Sequence, residues 1–288
     1  MSHPTSTISL PEEKVENWTQ VIQPTKGWQL IDLNELWHYK DLLYFLTIRG
    51  IKAKYAQSVL GVGWAIIQPL VQTLVFTVIF GNLAQMGSDG VPYILFSFCA
   101  MVPWTYFSNI LTESTNSLVQ NKAMLSKVYF PRLVLPLSAV FSKLLDFAIG
   151  FLVMLGLFVY YRFIPGTEVA IFPLLLLILI MTSLGTGMIL SAMAVQYRDI
   201  QYAMSFMVRI LMYSVPVVYS ISIIPEKYLY FYALNPMVGV IEGMRAAFLG
   251  TKEIPWDLIG IGGIVALILF IFGAFYFRRM EKSFADIA

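Results

Sequence analysis

Residues 33–69 read LNELWHYKDLLYFLTIRGIKAKYAQSVLGVGWAIIQP, an amphipathic segment that passes into an apolar one with no linker between them. Asp32 and Glu35, three positions apart, are typical of a helix N-terminus in which two residues cap each other's backbone. Apolar residues then recur at helical spacing, on a stripe formed by Leu33, Leu36, Trp37, Leu43, Tyr44 and Ile48. This pattern predicts a helix over 33–48 that lies flat on a membrane surface, with an ordinary surface helix of a soluble cap as the alternative.

Three basic residues, Arg49, Lys52 and Lys54, stand between this amphipathic segment and the apolar run that begins at Trp64. Lysine and arginine side chains at that position suit an anionic membrane surface. We therefore expect the chain to lie along the membrane, bend near the three basic residues and then enter the bilayer.

The composition indicates an integral membrane protein. Hydrophobic residues make up 58% of the 288 residues and charged residues only 12%, which is too few to cover a soluble globule of this size. Cys99 is the only cysteine, and His3 and His38 form no cluster with it, so no metal site is predicted. Residues 1–30 are rich in Ser, Thr, Pro and Glu, and we expect them to form a cytosolic, partly disordered tail.

Six segments have the ~20 mostly apolar residues that a membrane-spanning helix needs. They are 63–83, 92–111, 133–161, 169–195, 201–221 and 256–277. Lys and Arg residues concentrate before the first span, between the second and third, after the fourth and after the sixth, which places both termini in the cytosol. The predicted fold is all-α, with an interfacial amphipathic helix and bend over 31–60 and a six-span transmembrane domain over 61–288.

The stretch 223–252, between the fifth and sixth predicted spans, is too short and too often interrupted for two full crossings. Asn235 is expected to cap a helix whose first residue is Pro236. A helical hairpin that re-enters from the outer face keeps the basic residues after the sixth span in the cytosol. Glu242 and Arg245, three residues apart on the second helix of this hairpin, are expected to pair.

Two further polar patterns lie within the predicted spans. Lys143 and Asp146 are three residues apart in the third span, and we interpret them as a local ion pair, with a proton relay as the alternative. Ser183, Gly187 and Ser191 repeat at four-residue spacing in the fourth span, which indicates close helix packing and not a binding site.

Aromatic residues make up 15% of the chain, which is an excess. A tyrosine ring offers an apolar face to a sugar and a hydroxyl to the sugar's substituents, so aromatic residues within spans are candidates for lining the path of a sugar chain. An interfacial aromatic belt is the alternative, above all for Tyr93 and residues 228–232. The lining candidates are Trp104, Tyr106, Phe107, Tyr202, Phe206, Tyr213 and Tyr219.

The segment 114–131, between the second and third spans, alternates polar and apolar residues. This pattern suits a short amphipathic helix that a partner protein grips, with a plain loop as the alternative. The candidate contact residues are Asn116, Gln120, Asn121, Leu125 and Lys127.

The chain has no Gly-Lys dipeptide and hence no nucleotide-binding loop of the Walker type. Any ATP and Mg²⁺ must therefore be bound by a separate subunit, which would also hydrolyse the ATP. The sequence also lacks a nucleophile elbow and paired acids in a soluble pocket, so we do not expect catalysis by this chain.

Four ordered stretches resemble the permease subunits of ATP-binding-cassette exporters of polysaccharides. They are RGIKAKYAQSVLGVGWAIIQP (49–69), QNKAMLSKVYFPRLVLPL (120–137), QYRDI (196–200) and NPMVGVIEGMRAAFLG (235–250). The leading WQLIDLNELWHYKDLLYFL (28–46) is most similar to the O-antigen branch of this family. Capsule and teichoic-acid exporters of the same family are the alternatives.

The resemblance implies a permease of the bacterial inner membrane that pairs with a second copy of itself and with two cytosolic ATPase subunits. A lipid-linked polysaccharide would cross the membrane in a channel between the two permeases, and no nucleic-acid partner is expected. The helix over 33–48 would lie beside the ATPase, and 116–128 would be the coupling helix that inserts into it.

Two groups of residues acquire expected roles from this resemblance. The hairpin helix over 235–250 would belong to an outer gate, with Asn235, Glu242 and Arg245 as its candidate residues. The basic group of Arg49, Lys52 and Lys54 would meet membrane lipids and the pyrophosphate of the arriving lipid-linked glycan.

Two other classes of membrane protein fit the sequence less well. A membrane-embedded glycosyltransferase or polymerase should carry acidic residues in a sizeable soluble loop, whereas the longest outer loop holds only Glu226, Glu242 and Glu253, mostly within apolar sequence. A proton-coupled carrier would depend on Asp146.

Overall fold

The computed structural model describes residues 33–56 and 58–281, and within these residues the chain is helical and has no strands. The predictions for the tail 1–30 and for Asp32 lie outside the described residues. In chain order the α-helices are α1 Leu33–His38, α2 Lys40–Tyr55, α3 Gly63–Phe76, α4 Tyr93–Gln120, α5 Lys122–Leu125, α6 Val134–Tyr160, α7 Phe172–Gln196, α8 Asp199–Tyr213, α9 Glu226–Tyr232, α10 Pro236–Leu249 and α11 Trp256–Met280. A π-helical segment, Thr77–Leu83, continues α3, and 3₁₀ turns at Thr167–Ile171 and Ile221–Ile223 precede α7 and α9.

Within the described part of the chain, five helical segments are long and apolar enough to cross a membrane. They are Gly63–Leu83, Tyr93–Gln120, Val134–Tyr160, Thr167–Gln196 and Trp256–Met280. This finding confirms an all-helical integral membrane protein and accounts for five of the six predicted spans.

The predicted span over 201–221 has a different form. α8 ends at Tyr213 after 15 residues, and residues 214–219 form turns and bends. Pro216 explains this ending, because proline lacks an N–H and its ring disfavours a helical conformation of the preceding residue. The count of six spans therefore stays a prediction.

The amphipathic segment forms two helices, α1 and α2, separated by one residue. Leu36 and Leu43 of the predicted stripe pack against the core beside the buried Leu46. Leu33 and Trp37 of the same stripe are more than 70% exposed. The stripe is thus divided between the protein and its surroundings, and the interfacial position of these helices stays a prediction.

The bend into the first span comes later than predicted. α2 continues through Tyr55, so Arg49, Lys52 and Lys54 lie on its last turns and not at the bend. The lysines and alanines of this stretch favour helix and carry α2 past the expected position. The chain then turns where Gly61 adopts a φ of +49°, a conformation that glycine reaches at little cost.

α4 also extends past its predicted end, as a single helix of 28 residues. The chain therefore does not form one separate helix over 116–128, because the first part of that range is the end of α4 and only the four residues of α5 form a separate helix. The coupling role of this segment stays a prediction. The polar residues are accommodated because they bond to carbonyl oxygens one turn earlier. The Asn116 side-chain amide donates to the Thr112 carbonyl oxygen at 2.8 Å, and the Thr115 hydroxyl donates in the same way.

α4 is the central helix, and most of it is buried against α6, α7 and α10. The small-residue ladder of α7 is buried against α4, where a Cβ added to Gly187 would lie 3.0 Å from the Ser114 side chain. A second close contact joins α7 to α11, where a Cβ on Gly273 would lie 2.5 Å from the Gly185 carbonyl oxygen. The packing role predicted for the ladder is confirmed.

Candidate functional site

A polar cavity of about 640 Å³ lies between α2, α4 and α6. Its wall brings together two groups of predicted site residues, Arg49 and Lys54 from α2 and Asn116, Gln120 and Asn121 from the end of α4. Other polar side chains in the wall belong to Gln68, Asn109, Thr112, Ser138 and Ser142. The cavity is therefore shared by residues predicted for two separate roles, anion binding and ATPase coupling.

Three predicted residues lie outside this cavity. Lys52 is exposed on α2, Leu125 is half-buried at the end of α5, and Lys127 is exposed in the segment after α5. The basic group predicted at the bend is thus divided, because two of its members face the cavity and Lys52 does not.

Two ion pairs lie in and beside the cavity wall. The Lys54 ammonium lies 2.6 Å from Asp146 Oδ2, and the Tyr55 hydroxyl donates to the other oxygen of the same carboxylate. Lys143 pairs with Glu113 of α4. The predicted local pair of Lys143 with Asp146 is therefore wrong, because each of these residues finds its partner on a different helix.

The cavity carries an uncompensated positive charge. Among the described residues, Arg49 forms no ion pair, whereas the two cavity lysines, Lys54 and Lys143, are paired. Burial, with the hydrogen bond to Asp146 and its negative charge, raises the pKa of Tyr55 above its usual range, so this hydroxyl stays a hydrogen-bond donor. A guanidinium without a carboxylate partner, in a polar cavity, suits an anionic ligand such as a phosphate.

A second polar cluster joins α1, the segment after α5 and the end of α11. Glu35 accepts a hydrogen bond from the Tyr129 hydroxyl at 3.2 Å and lies 3.9 Å from Arg278 Nη2. Glu281 pairs with Arg278 at 2.7 Å and accepts a hydrogen bond from the Arg132 backbone N–H at 3.1 Å. These contacts hold the three segments together at one end of the bundle. We call this end, which carries Arg132 and Arg278, the basic end. The cavity lies at the same end, because the part of α4 that lines it leads directly into α5.

The three aromatic candidates on α4 are core residues of the chain. Trp104, Tyr106 and Phe107 are at most 7% exposed, and the rings of Tyr106 and Phe147 pack edge to face with centroids 5.4 Å apart. This position differs from the predicted lining of a path, because a central helix buries residues on all its faces.

The aromatic candidates on α8 have the opposite environment. Tyr202, Phe206 and Tyr213 are 58–80% exposed and lie on one face of the helix, given 3.6 residues per turn. Arg209 falls on the same face and is also exposed. Tyr219, beyond α8, is half-buried and its hydroxyl donates to the Tyr213 carbonyl oxygen at 3.1 Å. Arg209 is not among the residues that the aromatic pattern selects, although a lone arginine inside a predicted span is itself a signal of function.

The two helices predicted within 223–252 are present as α9 and α10. The Asn235 side chain accepts a hydrogen bond from the Met237 backbone N–H at 3.1 Å, and Pro236 is the first residue of α10. The Asn235 cap is therefore confirmed, and α10 ends at Gly250 in a left-handed conformation. Whether the hairpin enters a membrane stays a prediction.

Replacing Asn235 by Ala should lower the free energy of unfolding by ~1 kcal/mol, because one N–H at the start of α10 loses its acceptor. Asn235→Ser keeps an acceptor oxygen, so its free energy of unfolding should differ from that of the wild type by less than ~0.5 kcal/mol. Unfolding in detergent micelles of rising SDS content measures both variants. An Asn235→Ala variant as stable as the wild type would show that the cap does not stabilise α10.

The predicted Glu242–Arg245 pair is also confirmed, with 2.7 Å between Arg245 Nη1 and Glu242 Oε1. Both side chains are buried, and Arg245 also donates to the carbonyl oxygens of Val217 at 2.9 Å, Tyr219 at 3.4 Å and Phe96 at 3.3 Å. The pair thus ties α10 to α4 and to the segment after α8. Its burial suits a structural support better than a residue that lines a gate, and the gating role stays a prediction.

A family model described as ABC-2 type transporter matches residues 41–249, which is more than half of the chain. The chain belongs to the ABC-2 type transporter family. The matched range extends from the start of α2 to the end of α10 and includes the cavity and α8. As the membrane subunit of such a transporter, the permease is not itself an enzyme, and ATP hydrolysis belongs to an ATP-binding partner.

Several characterised proteins are similar to this permease over nearly their whole length. An O-antigen export system permease of Myxococcus xanthus is 29% identical over 256 residues, which cover 88% of this chain and 98% of that protein. One from Klebsiella pneumoniae is 28% identical over 252 residues, or 86% of this chain and 95% of that protein. A polysialic acid transport protein of Escherichia coli is more distant, at 23% identity over 83% of this chain and 93% of that protein.

Proposed function

We propose that the permease moves a lipid-linked polysaccharide of O-antigen type across the bacterial inner membrane. The channel would form between two copies of the chain, and two cytosolic ATP-binding-cassette ATPase subunits would drive transport. The higher identity to O-antigen permeases than to the polysialic acid protein favours this substrate class. Capsule export is the second candidate, supported by that same more distant relative.

The observation that carries the proposal is the polar cavity at the basic end. Its uncompensated Arg49 offers a guanidinium to a pyrophosphate, and its amide and hydroxyl side chains offer hydrogen bonds to the first sugars. The contacts of Asp146 disfavour a proton-coupled carrier, because its carboxylate is held by the Lys54 ammonium and the Tyr55 hydroxyl.

The proposed topology places the basic end, with both termini, in the cytosol. α1 and α2 would lie at the membrane interface, with the exposed Leu33 and Trp37 toward lipid or the ATPase. α8 and the turns after it would supply the one remaining crossing, which is the fifth along the chain. α9 with α10 would form a hairpin that re-enters from the outer face. The exposed aromatic face of α8 would line the channel.

Coupling to the ATPase is proposed for the end of α4, α5 and the segment after it. Leu125 and Lys127 would contact the ATPase, while Asn116, Gln120 and Asn121 face the cavity. The cluster of Glu35, Tyr129, Arg278 and Glu281 would transmit a displacement of this segment to α1 and α11.

In the test, the permease is expressed together with the ATP-binding subunit of its transporter, in a bacterial strain that lacks its own O-antigen exporter. Surface O-antigen should return only when both proteins are present, and the ATPase should copurify with the permease in detergent. Replacing the Walker lysine of the ATPase should abolish export without releasing the permease. Surface polymer that appears without the ATPase would contradict the proposal, and a parallel strain that lacks its capsule exporter distinguishes the second candidate.

A further inference from the structure

The exposed face of α8 contains a charge among its aromatic residues. Positions 202, 206, 209 and 213 fall on one side of an α-helix, and all four side chains are exposed. Arg209 is the only charged residue among these four, and it lies between Phe206 and Tyr213 along the helix, whereas the acidic Asp199 stands at the helix N-terminus. The opposite side of α8 packs on the chain through the buried Met204.

In the proposed topology α8 crosses the bilayer, and Arg209 then requires a polar neighbour. It lies ten residues after Asp199, or ~15 Å along the helix axis, which is about half of the ~30 Å hydrocarbon thickness of a bilayer. Among the residues that the structure describes, no carboxylate pairs with it. A charged side chain that faces lipid at this depth is costly, and arginine residues within spans therefore mark polar paths in most membrane proteins.

We infer that Arg209 binds an anionic group of the transported substrate as that group passes α8. The guanidinium can hold a phosphate or a carboxylate through two parallel hydrogen bonds, while the rings of Tyr202, Phe206 and Tyr213 contact sugar faces. The anion is either the pyrophosphate that links glycan to lipid or an acidic sugar of the polymer. This inference rests on the proposed function and deepens it, because it gives the negative charge of the substrate a contact on α8 in addition to Arg49 in the cavity.

The first test asks whether Arg209 faces water, and it needs no substrate. The only cysteine, Cys99, is fully buried, so a Cys99→Ala background leaves no reactive thiol. In that background, Arg209→Cys in intact membranes should react with a membrane-impermeant anionic methanethiosulfonate. Met204→Cys, buried on the same helix, and Ile264→Cys, 63% exposed on α11, are the matched controls and should stay unmodified. An unreactive thiol at 209 would overturn the inference.

The second test measures surface polymer in cells that contain the permease and its ATPase. Arg209→Gln should lower export about tenfold, Arg209→Lys less, and Arg198→Gln, in the exposed turn before α8, should have no effect. If Arg209→Gln lowers the export of a neutral polymer, the bound anion is the pyrophosphate. If it lowers the export of an acidic polymer only, the bound anion is the acidic sugar. Unchanged export by Arg209→Gln of both polymers overturns the inference, whereas failure of the wild-type permease to export either polymer counts against the proposed function instead.

Discussion

Replacement of Arg245 by Met is expected to lower the free energy of unfolding by about 3–5 kcal/mol. The guanidinium pairs with Glu242 and donates hydrogen bonds to the carbonyl oxygens of Val217, Tyr219 and Phe96. Neither charged side chain is more than 5% exposed. Met fills a similar volume but leaves a buried carboxylate unpaired and removes the donor from three carbonyl groups, and each of these changes destabilises the folded state.

Equilibrium unfolding in mixed micelles of rising SDS content, followed by tryptophan fluorescence, measures this loss. The double variant Glu242→Gln with Arg245→Met should recover ~1–2 kcal/mol relative to the single variant, because no unpaired charge then stays buried. Arg198→Met makes the same change at an exposed position and should lie within ~0.5 kcal/mol of the wild type. If Arg245→Met is as stable as this control, the buried pair does not hold α10 in place.

α10 is the part of the fold that local sequence signals predict best. Asn235 and Pro236 act on the backbone of the same helix turn, so their effect does not depend on the rest of the fold. Glu242 and Arg245 are correctly paired for a similar reason, because they are neighbours on one helix face. The carbonyl partners of Arg245, on α4 and after α8, have no signal in the local sequence.

The same spacing rule fails for Lys143 and Asp146. Both lie on α6 where α2 and α4 approach it. Lys54 of α2 pairs with Asp146, and Glu113 of α4 pairs with Lys143. Which of two oppositely charged residues is nearer depends on helix packing, and spacing along one helix does not contain that information. The polar cavity was therefore not predictable as a unit, although five of its residues were predicted site residues for two separate roles.

Helix ends within the membrane region depend on interactions that polarity does not reveal. The end of α4 is polar, yet its hydroxyl and amide groups bond back to the helix, so α4 continues to Gln120. The sequence stays apolar well past the end of α8, yet the helix ends at Tyr213 because the turn that follows contains Pro216. Burial of Trp104 and exposure of Tyr202 likewise depend on which helix is central, a property of the whole bundle.

Replacing Arg49 by Gln is expected to lower export of lipid-linked polysaccharide by about 10- to 100-fold, which corresponds to ~1.5–3 kcal/mol for a lost hydrogen bond to a charged group. Arg49 lines the cavity and, among the described residues, has no carboxylate partner. The substitution therefore removes a charge available to a pyrophosphate without leaving a protein charge unpaired. Copurification of the ATPase should be unchanged, and surface polymer quantified by lectin binding measures export.

Lys52→Gln is the matched control, because it removes the same charge three residues further along α2 from a side chain that does not line the cavity. Its export should stay within about twofold of the wild type, because both side chains are exposed and only Arg49 lines the cavity. Lys54→Gln should instead lower stability, because it leaves the Asp146 carboxylate with only the Tyr55 hydroxyl as a partner. Equal losses for Arg49→Gln and Lys52→Gln would attribute the effect to the general charge of α2 at the membrane surface. A specific loss at Arg49 supports anion binding in the cavity.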